Sequence, residues 1–463
     1  MTAREITIAY IGGGSRGWAR KLMSDLALCP DLGGQMRLYD IDGAAAERNA
    51  RYGGRLQEAP GVVSRWHYRA EADLGAALRG ADVVVLSIQP GPLTCMRDEI
   101  AIAEEYGMFF PVGDTTGAPG LVRGLRSATI YAGFAQAIAE HCPDAWVINY
   151  TNPLTICTRT LTRVAPGLRA FGCCHEVHGT RRMLAGLAAR ALELPEQPPL
   201  EEIRVNVYGI NHFTWVDRAT YQGADLLALL RRHLTEPGVL RTYTQAEVES
   251  WGTWFHSADQ VKFALFQRFG VLAAAGDRHL VEFLPGFTES PETLFRWGVI
   301  RTPVAWRIQR WEQDTRQTEE VLAGRAGLEL QPSGEEGVAQ IRALFGLGPH
   351  VTNVNVENQG QVANLPLGAV VETNALFDRG ELRPLSAGSL PAGLQPLVAR
   401  HVANQELIVE AALARDPELA FQAILGDPTN RLPLDRAWEM FQRLIRASAA
   451  LLPDWPGLVQ KYA

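Results

Sequence analysis

The 463-residue sequence has little cysteine, no long apolar run and no block of basic charge. Six cysteines (Cys29, Cys95, Cys142, Cys157, Cys173 and Cys174) are too sparse to staple a chain of this size, so a disulfide scaffold is excluded and reduced thiols are expected. No stretch of about 18 apolar residues occurs, which excludes a membrane-spanning helix. Met1 runs straight into a strand-like segment without a charged n-region or a long apolar h-region, so the expected location is cytoplasmic. With 44 Lys and Arg against 51 Asp and Glu, the net charge of −7 and the lack of a basic cluster exclude nucleic acid as a partner. A small molecule is expected instead. Repeats, low-complexity tracts and an interdomain linker are also missing.

What is present is an ordinary globular composition, 47% hydrophobic and 21% charged. At roughly 150 residues per domain, the length allows two or three domains or one two-lobed enzyme. Ile6–Ile11 reads as a short β-branched strand, followed by a glycine turn and a helical stretch from Trp18 to Leu28. Further strands are expected at Met36–Tyr39, Ala81–Ile88 and Ala145–Tyr150, with an amphipathic helix over Leu121–Glu140. Strands alternating with helices predict a Rossmann-like, doubly wound α/β domain over residues 1–200. A mixed α+β domain over 201–463 is expected to pack directly on it. In that half Ile203–Val207 reads as a strand turning at Asn211-His212, Val351–Leu365 as a strand pair, and Leu390–Ala463 as helical.

Five clusters carry chemistry. Gly12-x-Gly14-Ser15-Arg16-Gly17 lies between a strand and a helix, where glycines let backbone approach a pyrophosphate and the helix N-terminus faces its charge. Asp40 stands at the spacing for a ribose hydroxyl and favours NAD over NADP, whose 2′-phosphate it would repel. The second cluster is Gly113-Asp114-Thr115-Thr116-Gly117, followed by Arg123 and Arg126. The third, Asn149-Tyr150-Thr151-Asn152-Pro153, falls at the carboxyl end of a predicted strand, where open α/β sheets place ligands. The fourth, Cys173-Cys174-His175-Glu176-Val177-His178, offers metal-ligating side chains without the second ligand pair of a structural zinc site. An open metal site completed by His212 is the expectation. The fifth is Gly276-Asp277-Arg278-His279, which reads either as a solvated helix face or as a pocket for an anionic substrate.

Together and in this order, with Arg97-Asp98-Glu99 and Val354–Gly360, the clusters resemble the NAD-dependent glycoside hydrolases of family 4. The resemblance implies NAD and Mn²⁺ as cofactors, with hydride leaving C3 of the sugar, a base removing the C2 proton, elimination from C1, water addition and hydride return. It implies Cys174 and His212 as metal ligands, Asp277 as the base, and His175 or Glu176 as proton donor to the leaving oxygen. Asp114 would lie near metal and sugar, and Asn149 near the cofactor. Asn152, Arg97, Arg126, Arg278 and His279 are expected to contact substrate. Within the family, Cys174-His175-Glu176-Val177 is similar to the variant found in α-galacturonidases, so a uronide, as short oligogalacturonides, is the expected substrate. A homodimer or homotetramer is implied as well. The alternatives are an α-glucosidase or α-glucuronidase of the same family, an NAD-dependent 2-hydroxyacid dehydrogenase, and a non-catalytic NAD sensor.

Overall fold

The computed structural model describes residues 3–328, 330–452 and 455. Six strands form its parallel sheet: β1 (Arg4–Ile11), β2 (Leu32–Tyr39), β3 (Trp66–Glu71), β4 (Val83–Leu86), β5 (Trp146–Asn149) and β6 (Arg169–Gly172). They run in the order β6-β5-β4-β1-β2-β3, with Ile8 of β1 in register with Met36 on one side and Val83 on the other. Buried apolar residues fill both faces of this sheet, as expected where helices cover it on both sides. The chain reverses direction across the sheet between β1 and β4. That switch point opens a crevice at the carboxyl ends of the strands.

The second half supplies the remaining strands. β7 (Arg204–Ile210), β8 (Phe213–Tyr221), β9 (Ala224–Asp225) and β10 (Leu272–Ala273) make a small antiparallel sheet. β11 (His350–Glu357), β12 (Val370–Asp378) and β13 (Glu381–Pro384) extend the main sheet beyond β6, with β11 antiparallel to it at Asn355 and Gly172. The nine-stranded sheet thus draws on both halves of the chain. Helix Gly117–His141 is buried without interruption from Gly117 to Ala128, because helices Gln395–Ala414, Pro417–Gly426 and Leu434–Ser448 close over it.

Several expectations are corrected. β3 and β6 were not predicted as strands: β3 alternates with charged side chains at an edge position, and β6 is only four residues long. The strand pair expected within Val351–Leu365 is β11 with β12, and 358–369 forms the connection between them. Helices begin at Gln395 as expected near the end of the chain; apart from Trp455, the part of that prediction beyond 452 lies outside the described residues. Among the described residues no helix is long and apolar enough to cross a membrane.

Candidate active site

The glycine loop leaves β1 with Gly12 at φ +92°, where a Cβ would stand 2.0 Å from the Ser87 carbonyl oxygen. Only glycine fits that approach. A Cβ on Gly14 would meet Ala45 at 2.7 Å, whereas one on Gly17 would meet nothing within 4 Å. Close packing of the loop against helix Gly43–Leu56 is therefore made at Gly14, and Gly17 is free of it. Asp40 accepts from the Gly14 amide at 2.9 Å through Oδ2 and from the Asp42 amide at 2.9 Å through Oδ1. Asn49, missed in the sequence, donates to the Gly13 and Ser15 carbonyls at 2.7 and 2.8 Å and holds the loop from behind. Ser15 Oγ accepts from the Trp18 amide, and the Arg16 guanidinium lies 4.3 Å from the Trp311 ring centroid. Trp311 belongs to helix Val304–Leu322, whose Glu319 pairs with Arg48 next to Asn49.

Asn149 is fully buried, and its side chain is consumed internally. Oδ1 accepts from Tyr131 at 2.7 Å and from the Thr151 amide at 2.9 Å, while Nδ2 reaches Thr158 Oγ1 at 3.2 Å. Its expected contact with cofactor is replaced by a role in shaping the Asn-Tyr-Thr-Asn-Pro turn. The turn presents Asn152, whose carbonyl accepts from Arg123 Nε at 3.0 Å.

At the crevice Asp114, His212 and His279 bring one ligand atom each to within 4.8 Å of one another. His212 occupies the two-residue turn between β7 and β8 at φ +62°, a conformation uncommon for a side-chain-bearing residue. The Thr115 hydroxyl donates to Asp114 Oδ1 at 2.8 Å, so its oxygen accepts from His212 Nδ1 at 2.9 Å. That arrangement places the His212 proton on Nδ1 and leaves Nε2 as the ligating atom. Burial and the adjacent His279 push His212 down to about 3, so it is neutral at physiological pH. Burial opposes ionisation of Asp114, but His279, Arg123, His212 and Arg307 hold its carboxyl well below the usual range. One carboxylate and two neutral imidazoles suit a divalent cation.

Cys174 lies outside this mutually close set. It neighbours Asn211, Glu176 and Glu372, and burial raises its thiol well above the ordinary value. Both amide atoms of Asn211 are buried without a hydrogen-bond partner, as is His279 Nδ1. Such unfilled donors and acceptors next to Cys174 and His212 fit a site completed by a bound group. Glu372, a residue no sequence cluster singled out, accepts from Thr214 at 2.6 Å and from Asn353 at 2.7 Å and ties β12 to the His212 hairpin.

Adjacent residues of the other clusters separate. Burial opposes the charge on Glu176, yet His279, His212 and the Gly276 amide, which donates to it at 2.6 Å, bring it down to about 2. Glu176 is thus a carboxylate, able to accept a proton rather than donate one. His175 is half-exposed and stacks on Trp18. Asp277 is fully buried and accepts from the Val261 and Lys262 amides at 3.0 and 2.9 Å, capping helix Gln260–Phe269. Burial raises its carboxyl to about 7, and both oxygens hold the helix N-terminus, so Asp277 stands as a cap rather than as the expected base at C2. The reading of its cluster as a solvated helix face also falls, since Asp277 and Arg278 are buried.

The arginines divide in the same way. Arg126 is buried in a bidentate pair with Glu99 beside Ser448, which commits its guanidinium away from substrate, and Arg97 is exposed in a pair with Asp98. Arg278 lies next to the site, donating to Thr302 with its Cζ 5.1 Å from the Phe255 ring centroid. Glu282, also missed in the sequence, accepts from the Val112 and Gly113 amides at 2.7 and 2.9 Å and anchors the Asp114 loop from the second lobe.

A dinucleotide-type sheet whose carboxyl edge gathers one acid and two histidines, closed over by a second lobe, defines a two-lobed enzyme of the α/β class. The chain belongs to glycosyl hydrolase family 4: residues 7–189 match the model of family 4 glycosyl hydrolase and 207–430 that of its C-terminal domain. Among its relatives are α-galacturonidases of Thermoanaerobacterium saccharolyticum, 46% identical with 97% of each chain covered, and of Bacillus subtilis, 45% identical with 96% of this chain and 98% of that one covered. A crystal structure of the Bacillus subtilis protein lplD, described as a glucosidase, superposes with a TM-score of 0.89 at 45% identity, covering 95% of this chain and 99% of that one. The same fold recurs in the 6-phospho-β-glucosidase of Thermotoga maritima with manganese, NAD⁺ and glucose 6-phosphate, at a TM-score of 0.77 and 19% identity, covering 96% and 99% of the two chains. Membership in this family sets aside the hydroxyacid dehydrogenase and the NAD sensor.

Proposed function

We propose that the protein is an α-galacturonidase that works on short oligogalacturonides with NAD and a divalent metal such as Mn²⁺. The observation that carries the substrate class is a gap in similarity. Four α-galacturonidases are 41–46% identical over nearly the full length, whereas relatives acting as α-galactosidases or an α-glucosidase are 25–28% identical.

The backbone of Gly12, Gly14, Ser15, Arg16 and Gly17, with Asp40, is the seat for NAD. Asp114, His212 and His279 are the seat for the metal, with Cys174 adjacent. When bound, NAD supplies a hydride acceptor and the metal supplies Lewis acidity toward sugar oxygens. The chain's own groups then manage protons and position. Thr115 fixes the His212 tautomer. Glu176 Oε1, unprotonated and 4.0 Å from His279 Nε2, would accept a proton directly from substrate. His175, half-exposed beside Trp18, is the group available to protonate a leaving oxygen. Asn152, just past the carboxyl end of β5, would bind sugar hydroxyls.

Purified protein supplied with NAD⁺, Mn²⁺ and a thiol reductant is expected to release nitrophenol from nitrophenyl α-galacturonide faster than from the α-glucuronide, α-glucoside or α-galactoside. Solvent deuterium should enter C2 of the product. Faster release from a neutral glycoside would overturn the substrate class, and absence of deuterium would overturn the elimination route.

A further inference from the structure

We propose that Arg307, together with Arg278, forms the receptor for the C6 carboxylate of the substrate; this rests on the uronide reading above. Arg307 lies on the first turn of helix Val304–Leu322, far in sequence from every cluster that carries the family resemblance.

Arg278 is only 8% exposed, and Arg307, next in the chain to the Trp306 ring that meets Phe255 against Arg278, adds a second positive charge that bears on Arg278 and on Asp114. The Nε atoms of both are buried and have no hydrogen-bond partner. Two guanidinium groups brought together, one of them buried, repel each other, and an anion joining them would offset that repulsion and take up their unfilled Nε donors. The acidic groups nearby bear on these charges, but neither guanidinium donates a hydrogen bond to any of them. Glu176 is engaged by the Gly276 amide, Glu282 by the Val112 and Gly113 amides, and Asp114 by Thr115. A carboxylate presents two coplanar oxygens that match the guanidinium fork.

The surroundings suit a sugar acid rather than a free inorganic anion. Phe255 lies against Arg278, is 59% exposed and meets Trp306 edge to face at 5.4 Å between centroids. Trp306 immediately precedes Arg307, so helix Val304–Leu322 offers a charge and an aromatic wall at one place. Arg278 is followed directly by His279 of the metal cluster. The Arg278 charge bears on the His279 ring, so the carboxylate end of the sugar would be held close to the group that faces its reacting hydroxyls.

The test compares wild type, Arg307→Gln and Arg307→Lys, each loaded with NAD⁺ and Mn²⁺. Arg307 is partly exposed, so these variants are expected to fold, and an unchanged thermal midpoint checks it; Arg278→Lys is the second variant. Arg307→Gln should lower the ratio of kcat/KM for nitrophenyl α-galacturonide over the α-galactoside by about 10- to 100-fold, mainly through KM, as expected for a lost charged hydrogen bond. The lysine variant should fall between. By calorimetry, galacturonate should bind wild type more tightly than galactose, and Arg307→Gln should erase that difference. An unchanged ratio in Arg307→Gln, or tighter binding of galactose 6-phosphate than of galacturonate by wild type, would overturn the receptor. Failure of wild type to hydrolyse any galacturonide would instead overturn the functional reading, while the calorimetric comparison would still decide whether Arg307 recognises a carboxylate.

Discussion

The imidazoles of His212 and His279 stack with centroids 3.7 Å apart and planes 26° from parallel, although one sits on a hairpin turn and the other on a one-turn helix. Two imidazolium ions could not share that space, and burial pushes both groups below the ordinary histidine value. Each ring therefore retains a lone pair in the physiological range, as ligation to a metal requires. Thr115 decides which nitrogen of His212 offers it.

Thr115→Val should keep the volume of the side chain and remove the acceptor for His212 Nδ1. Mn²⁺ affinity, followed by the loss of the free-ion EPR signal on titration, should weaken by about 10- to 100-fold, the usual effect of losing an outer-shell partner. NAD affinity should stay near that of wild type. Equal Mn²⁺ affinity in the two proteins would show that Thr115 does not orient His212.

Glu282 gives a pH dependence with a defined sign. Burial pushes its carboxyl up to about 8 from an ordinary 4.5, with one oxygen left unpartnered. A group raised on folding contributes stability that is present below the unfolded value and lost as pH rises through the folded one. Metal-free wild type should lose on the order of 2–4 kcal/mol between pH 4.5 and 8 from this group. Glu282→Gln keeps an acceptor for the Val112 and Gly113 amides and does not ionise. Urea midpoints across that range should fall less steeply in the variant; parallel curves would refute the assignment.

Arg126→Met should act on stability. Removing one partner of a buried ion pair leaves the Glu99 charge uncompensated, at a cost of about 3–5 kcal/mol. The double variant Glu99→Met with Arg126→Met should recover much of that loss. Chemical denaturation of the three proteins is the measurement, and a single variant as stable as wild type would contradict the buried pair.

Asp40→Ala should loosen the cofactor loop, because the carboxylate braces the Gly14 amide. NAD should bind about 10-fold more weakly by fluorescence titration, on the scale of one charged hydrogen bond. Discrimination against NADP should shrink in the same variant. Retained discrimination would mean that another group repels the 2′-phosphate.

Much of this protein is determined by local sequence. The Gly12-to-Asp40 unit is legible because a strand, a glycine turn and a helix are set by neighbouring residues, and the same holds for the Asn211-His212 turn. Which side chains meet in the crevice was decided by tertiary packing. Asp277, Arg278 and His279 are consecutive, but on a helix successive residues point about 100° apart, so Asp277 turns into helix Gln260–Phe269 while His279 turns onto His212. Arg126 and Arg278 look alike in sequence; one is neutralised by Glu99 under the C-terminal helices, and the other, buried against Thr302 and the Phe255 ring, pairs with no carboxylate among the described residues. Sequence fixes which chemical groups the chain owns and how its short segments fold. Their partners, and therefore their charge and direction, depend on contacts between residues far apart along the chain.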